Sequence, residues 1–366
     1  MYSVSPPSFG QSRPSSPPPS LTHTIKNSGT IVSGYPLGIA IGLLLAANVN
    51  NATKDKPTRT SWQLPIGIEF IWGFVLAVGM IILPESPRWL IKKGRDEDAT
   101  RALSRLISLP PDHPEIQAQL DEIRISFQQE KGQGESSYID CFRPANKILF
   151  RTLTGILVQA LQQLTGINFI IYYGTVFFEN SGISNPFLVI IIISITNVLT
   201  TIPSLWGVER FGRRRLLLVG AVGMCVCQFL VAIVGVTIST SNAAGQKVSI
   251  AFVCTYIAFF ASTWGPVAWV ITGEIFPLNV RAKAMSLSAA SNWLWNFVTS
   301  YATPYLVNKQ PGSAGLGVKV FFIWGAACVG CFTFTYFCIP EVSLLFFFLW
   351  WRSGSLYLVL DQGVIP

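Results

Sequence analysis

The sequence predicts an all-α integral membrane protein. Half of its 366 residues are hydrophobic, 13% are aromatic and only 12% are charged, whereas soluble domains carry about 25% charged residues. The charged residues are missing from long runs rather than thinned evenly. Eight of these runs approach the roughly 20 residues that a helix needs to cross a bilayer. Hydropathy therefore excludes a soluble enzyme.

The candidate spans follow one another through most of the chain. They are 31–49, 64–83, 153–178, 187–208, 216–238, 248–272, 285–307 and 320–339. The first is the weakest because it is short and contains Pro36. A ninth apolar run, 342–351, is too short to cross.

The spans divide the chain into segments of different character. These are a proline- and serine-rich leader at 1–30, two spans in 31–83, a charged loop at 84–151, a six-helix bundle at 152–341 and an atypical tail at 342–366. The composition of the leader predicts disorder. Within the loop, apolar periodicity predicts three short amphipathic helices that begin at Ser86-Pro87, near Ala99 and at Pro114.

Lysine and arginine counts predict the orientation. The loop at 84–151 carries eleven of these residues and 209–215 carries four, whereas 179–186 carries none and 240–247 carries one. Because basic residues concentrate in cytoplasmic loops, eight spans place both termini in the cytoplasm. The formal charge of +8 then reflects membrane orientation and gives no reason to expect a nucleic-acid partner.

Cysteine and histidine are not arranged for catalysis or metal binding. Cys225 and Cys227, like Cys328 and Cys331, are closely spaced, but they lie inside apolar runs without a histidine nearby. Packing is the favoured interpretation of these residues. We predict no metal, no cofactor and no enzymatic activity.

A row of amides interrupts the third span. Gln159, Gln162 and Gln163 are spaced i, i+3, i+4, which places all three on one helix face. Thr165-Gly166 is a weak point in the helix, and Asn168 follows it. Spacing alone leaves two interpretations open: a polar wall for a hydroxylated solute, or hydrogen bonds that hold helices together.

Four motifs in order identify a family. They are PESPRW at 84–89, QQLTGIN at 162–168, ERFGRR at 209–214 and GEIFP at 273–277. Together they resemble the sugar porter family of the major facilitator superfamily, and most closely its fungal hexose transporters. The resemblance covers about residues 35–341.

The resemblance implies a fold of two six-helix halves with sugar bound between them at mid-membrane. By position, this chain corresponds to the family from its fifth helix onward, with a complete C-terminal half. We therefore expect a truncated product whose isolated chain transports poorly. The implied function is transport of a hexose-like monosaccharide by alternating access, facilitated or coupled to protons, in the plasma membrane. The alternative is a non-transporting membrane protein, or a sugar sensor or regulator that retains one wall of the site.

The resemblance also assigns residues to the sugar. The implied substrate contacts are Gln159, Gln162, Gln163, Asn168, Asn197, Trp269, Asn292 and Trp293. Tyr172 and Tyr173 match outer-gate tyrosines. Neutral amides suit sugar hydroxyls because they donate and accept without the desolvation cost of a charge. One departure is Pro36, which stands where the family has a glutamine and offers no amide.

The remaining matched residues are charged and lie at the ends of predicted spans. They are Glu85, Arg88, Glu209, Arg210, Arg213, Arg214, Glu274 and Arg281. By resemblance they form a cytoplasmic interhelical network that holds the inner gate shut. Solvated loop charges are the alternative interpretation.

Overall fold

The structure is a computed structural model that describes residues 28–56, 59–132, 137–144, 147–180, 182–183, 185–238, 242–277, 279–308 and 311–339. Regular structure in these ranges is helical. The α-helices are α1 (Ser28–Thr53), α2 (Thr60–Ile82), α3 (Pro87–Lys92), α4 (Asp96–Ile107), α5 (Pro114–Gly132), α6 (Ile148–Leu164), α7 (Ile167–Asn180), α8 (Pro186–Phe211), α9 (Arg213–Thr237), α10 (Ala243–Ser262), α11 (Trp264–Glu274), α12 (Arg281–Val307) and α13 (Val320–Cys338). Short 3₁₀ helices occupy Tyr138–Phe142 and Gly317–Lys319. The predicted run at 342–351 and nearly all of the leader lie outside the described residues.

The all-helical membrane fold is confirmed. Within the described ranges, seven stretches are long and apolar enough to cross a membrane, and two of them are the helix pairs α6–α7 and α10–α11. The predicted span at 285–307 forms α12 and falls outside this set. Its 27 residues extend about 40 Å, but a buried polar stripe that includes Ser288, Asn292 and Thr299 lowers its hydropathy.

Two of the spanning segments are broken helices. The first breaks at Thr165-Gly166, between α6 and α7, where the sequence predicted weakness. The second breaks between α10 and α11, two residues before the Gly265-Pro266 pair. The break lies at Thr263 (φ −131°, ψ −83°), and Pro266 sits in the first turn of α11. A proline ring clashes with the carbonyl four residues earlier but is tolerated in a first turn, so the helix is interrupted on its N-terminal side.

The later helices pack around one hydrophobic core. α9 packs against α10 and α13, α6 against α12, and α8 against α1 and α10. The core includes Phe169 and Phe321, whose rings meet edge to face at 5.4 Å. By contrast, α2 contacts α1 and buries none of its residues. A helix that is apolar all round and unburied in the chain matches a lipid or protein environment rather than water.

The charged loop carries the three predicted helices, α3, α4 and α5. They share a small core of their own that includes Leu90, Leu103 and Leu120. Ser86 precedes α3 as predicted, but its side chain makes no capping bond. Its backbone N–H instead donates to the Glu85 carboxylate at 3.1 Å.

Candidate functional site

The glutamine row of α6 is buried in the protein. Gln159, Gln162 and Gln163 are 0%, 3% and 7% exposed. Asn168 on α7 and Asn292 on α12 are buried as well. Five primary amides from three helices are thus withdrawn from solvent, which requires each of them to find hydrogen-bond partners.

Gln162 is the centre of the amide network. Its Nε2 donates to Trp264 O at 2.9 Å and to Gly265 O at 3.0 Å, both in the first turn of α11. Its Oε1 accepts from Asn292 Nδ2 at 2.8 Å. The same Asn292 nitrogen donates to Gln159 Oε1 at 2.6 Å. One side chain of α6 therefore joins α12 to the N-terminus of the broken helix α11.

A second branch of the network crosses the α6–α7 break. Asn168 Nδ2 donates to Gln163 Oε1 at 2.6 Å and to Thr299 Oγ1 at 3.3 Å. Asn296 Nδ2 donates to Asn168 Oδ1 at 3.4 Å. The hydrogen bond from Asn168 to Gln163 spans the break. The distance between these two amides therefore depends on the geometry of the break.

The amides differ in the bonding capacity that they keep. A primary amide has two N–H donors and an oxygen that can accept twice. Gln162 uses all four positions, because its Oε1 also accepts from Gln163 Nε2 at 3.4 Å. Within the described residues, Asn292 Oδ1 receives no donor, and Gln159 and Gln163 each keep one unused N–H. Because Gln163 is 7% exposed and Gln159 is 0% exposed, Asn292 and Gln163 are the members best able to bind an added hydroxyl group.

Several predicted site residues lie outside this network. Asn197 Oδ1 accepts from Thr201 Oγ1 of its own helix at 3.4 Å. Trp269 is half-buried on α11, and Trp293 is 64% exposed. Their contact with a sugar stays a prediction.

The two gate tyrosines lie on α7 and differ in exposure. Tyr172 is exposed, and Tyr173 lines a cavity of about 460 Å³ together with Tyr301, Tyr305 and Asn308. The cavity therefore lies beside the middle of α7, about two turns beyond the break. Gating by these tyrosines stays a prediction.

Sequence reasoning missed further polar partners. Thr272 Oγ1 on α11 accepts a hydrogen bond from Gln159 Nε2 at 3.2 Å. Asn296 and Thr299 follow Asn292 at i+4 and i+7, so helical periodicity could have placed them on the same face. Gln228 and Tyr256, discussed below, gave a weaker signal, since each is a single polar group in an apolar run.

Among the described side chains of the predicted charge network, Arg213 and Glu274 form an interhelical ion pair. Arg213 Nη2 lies 2.9 Å from Glu274 Oε1, which links α9 to α11. Arg214 Nη2 donates to Tyr336 O at 2.8 Å, and Arg281 Nε donates to Phe276 O at 3.1 Å. The wider network stays a prediction.

Some of the other charged residues make contacts near their own position in the chain. The Arg210 guanidinium stands over the Trp206 ring at 4.6 Å, and Glu85 accepts from Ser86. Arg88 lies in α3. The side chain of Glu209 is outside the described part of the chain.

The ion pair between Arg213 and Glu274 is expected to contribute little to stability. The two side chains are 31% and 43% exposed, and solvent screens such pairs to about 0.2–1 kcal/mol. A double-mutant cycle with Arg213→Ala and Glu274→Gln, measured as unfolding free energy in mixed micelles, should give a coupling in that range. A coupling above about 2 kcal/mol would contradict the expectation.

Comparison with known sequences decides the family. The sequence profile described as sugar (and other) transporter matches residues 23–350. The chain belongs to this family. This membership confirms the resemblance drawn from the four motifs.

The chain aligns with named fungal relatives over most of its length. It is 49% identical over 324 residues to the major facilitator-type transporter ecdD of Aspergillus rugulosus, covering 86% of this chain and 60% of the relative. It is 47% identical over 320 residues to the probable glucose transporter rco-3 of Neurospora crassa (86% and 54%). It is 42% identical over 316 residues to a high glucose sensor of Saccharomyces cerevisiae (86% and 41%). The chain thus spans about half the length of the curated relatives it matches.

A solved structure shows the same fold. A proton:xylose symporter of the major facilitator superfamily, bound to 6-bromo-6-deoxy-D-glucose, superposes with a TM-score of 0.70 at 26% identity. The match covers 86% of this chain and 65% of the symporter.

Proposed function

We propose that this sugar transporter family member carries a hexose-like monosaccharide across a membrane by alternating access, either by facilitated transport or coupled to protons. The observation that supports the proposal most is the buried amide network of α6, α7 and α12. Family membership supports the class of solute. Relatives named as a glucose transporter and a glucose sensor favour a hexose.

The chemistry of the network suits a sugar. Asn292 Oδ1 can accept a hydrogen bond from a sugar hydroxyl, and the unused N–H of Gln163 can donate one to a hydroxyl oxygen. Binding at Gln162 requires the exchange of an existing amide bond for a bond to the sugar. We assign Trp269 a stacking role against the pyranose face, with Asn168 and Gln159 as supporting amides and Asn197 and Trp293 as further contacts from α8 and α12.

The proposed setting is the plasma membrane, with the lipid bilayer around the helices and both termini in the cytoplasm. The argument for the orientation is the concentration of lysine and arginine in 84–151 and 209–215. The charges at the cytoplasmic ends are proposed to hold the inner gate. The ion pair between Arg213 and Glu274, which links α9 to α11, supports this proposal.

A sugar sensor is the second candidate. The relative from Saccharomyces cerevisiae named as a high glucose sensor is 42% identical over 316 residues. A sensor needs the same amide network for recognition and does not need transport. Binding and uptake therefore have to be measured separately.

The test is expression in yeast cells that lack their own hexose carriers. Uptake of labelled D-glucose is measured in the cells, and binding is measured on the purified chain, with L-glucose as the stereochemical control. Gln163→Ala and Trp269→Ala should weaken binding by about 1–3 kcal/mol, since a hydroxyl loses its partner or a stacking surface is lost. Thr200→Val, which removes a hydroxyl that bonds within its own helix, is the matched control.

The outcomes separate transport from recognition alone. Saturable D-glucose uptake that Gln163→Ala abolishes supports transport and contradicts the expectation that this chain transports poorly. Stereoselective binding without uptake supports a sensor or another non-transporting protein. Absence of binding would contradict both. Proton coupling is tested by measuring uptake at different external pH values. Glu69 is the residue to replace, because it is the acidic residue within the apolar helix α2 and intramembrane carboxyl groups are commonly functional. Uptake that rises as the external pH falls, and loses this dependence in Glu69→Gln, would favour the coupled mechanism.

A further inference from the structure

The break between α6 and α7 frees a backbone carbonyl inside the protein. In a continuous helix Thr165 O would accept from the N–H of Phe169. Here the Phe169 N–H donates to Gly166 O at 3.2 Å instead, and Gly166 adopts a φ of +84°. Thr165 is fully buried, so its carbonyl needs another donor.

Two side chains from neighbouring helices supply that donor. Gln228 Nε2 on α9 donates to Thr165 O at 2.6 Å, and the Tyr256 hydroxyl on α10 donates to the same oxygen at 3.0 Å. Both side chains are 1% exposed. A buried amide and a buried phenol from two helices thus converge on one carbonyl, which occupies both of its acceptor positions.

The opposite side of the break is fixed by packing. A Cβ on Gly166 would lie 2.6 Å from Cγ of Trp324 on α13, so the indole already rests against the glycine. The Thr165 hydroxyl donates back to Gln162 O at 2.7 Å. The break is therefore held by hydrogen bonds from α9 and α10 and by contact with α13.

The position of the break determines the geometry of the amide network. Gln163 precedes the break, Asn168 follows it, and their side chains meet at 2.6 Å across it. A small shift or rotation of α7 relative to α6 would change this distance directly. Residues that hold Thr165 O consequently hold the two amides in register.

We propose that Gln228 and Tyr256 are positioning residues for sugar binding, which act through the Thr165 carbonyl and do not touch the sugar. The inference rests on the proposed function of the amide network. It extends that function to two helices, α9 and α10, that the predicted substrate contacts do not include.

Hydrogen exchange tests the break without any sugar. The full chain is placed in lipid nanodiscs, and exchange is followed by mass spectrometry for the double variant Gln228→Leu with Tyr256→Phe. We expect exchange at residues 164–170 to accelerate about tenfold or more, because the carbonyl loses both donors. Peptides from α4 and α5 should be unchanged. Thr255→Val, which removes an exposed hydroxyl bonded within its own helix, is the matched control for Tyr256→Phe.

Sugar binding tests the positioning role. Each single variant should raise the dissociation constant for labelled D-glucose about fivefold to tenfold. Gln228→Leu should have little further effect in an Asn168→Ala background, because the distance that it controls no longer matters. A purely structural role would instead give additive effects.

The results that overturn the inference differ from those that overturn the proposed function. Unchanged exchange at 164–170 in the double variant, or accelerated exchange with an unchanged dissociation constant, contradicts the positioning role while the wild type still binds D-glucose. A wild-type chain that does not bind D-glucose contradicts the proposed function, and the positioning role falls with it. The exchange data then still report whether Gln228 and Tyr256 hold the break.

Discussion

Replacing Gly166 with alanine is expected to lower the free energy of unfolding by about 2–5 kcal/mol, a sum of two costs. The φ of +84° belongs to a region that costs an L-residue about 1–2 kcal/mol. The added methyl group would also lie 2.6 Å from Cγ of the Trp324 side chain, and overpacking costs typically 1–3 kcal/mol. The measurement is unfolding in mixed micelles with increasing dodecyl sulfate.

Gly330→Ala on α13 is the matched control. Gly330 lies within a helix and has open space where the methyl group would go, so alanine there should be neutral or stabilising by up to about 1 kcal/mol. Equal effects of the two substitutions would show that Gly166 is an ordinary helical glycine and that the break is not where we place it.

Gln162→Leu is expected to damage both stability and sugar binding. The leucine removes four hydrogen bonds in a buried setting and leaves the N–H groups of Asn292 and Gln163 with fewer acceptors. We expect a loss of about 2–4 kcal/mol in the free energy of unfolding. Each unsatisfied buried group costs about 1–3 kcal/mol, and rearrangement of the neighbouring amides recovers part of the sum. D-glucose binding should weaken at least tenfold, since the amides that remain lose their alignment.

Two other glutamine variants serve as comparisons for the stability loss of Gln162→Leu. Gln163→Leu loses the bond from Asn168 and the long bond to Gln162, so it should cost about 1–2 kcal/mol of stability but reduce sugar binding as strongly. Gln117→Leu removes an exposed amide that donates to Pro111 O and should stay within about 0.5 kcal/mol of wild type. A Gln162→Leu protein as stable as Gln117→Leu would contradict the central place of Gln162 in the network.

Hydropathy and helical periodicity were sufficient for the large features of this protein. Long uncharged runs located the membrane helices, and the i, i+3, i+4 spacing put three glutamines on one buried face. The Thr165-Gly166 pair marked the break because glycine tolerates the positive φ that the turn requires. These features depend on residues close together in the chain.

Features that depend on tertiary contact could not be predicted. Gln228 and Tyr256 are more than 60 residues from Thr165, and nothing in their own segments indicates a shared carbonyl. Pro266 indicates a break on its N-terminal side, but the sequence does not identify Thr263 as the residue at which the chain deforms. Asn197 is grouped with the other amides by resemblance, and its oxygen accepts a bond from Thr201 within α8, so its contact with a sugar stays a prediction.

The central claim is that the buried amides of α6, α7 and α12 bind a monosaccharide, and a structure determined with saturating D-glucose tests it most directly. We predict sugar hydroxyls within hydrogen-bonding distance of Asn292 Oδ1 and Gln163 Nε2, with the Gln162 bonds to α11 retained or exchanged for bonds to the sugar. Sugar found only in the cavity lined by Tyr173 and Tyr305, with every amide–amide bond unchanged, would contradict the claim.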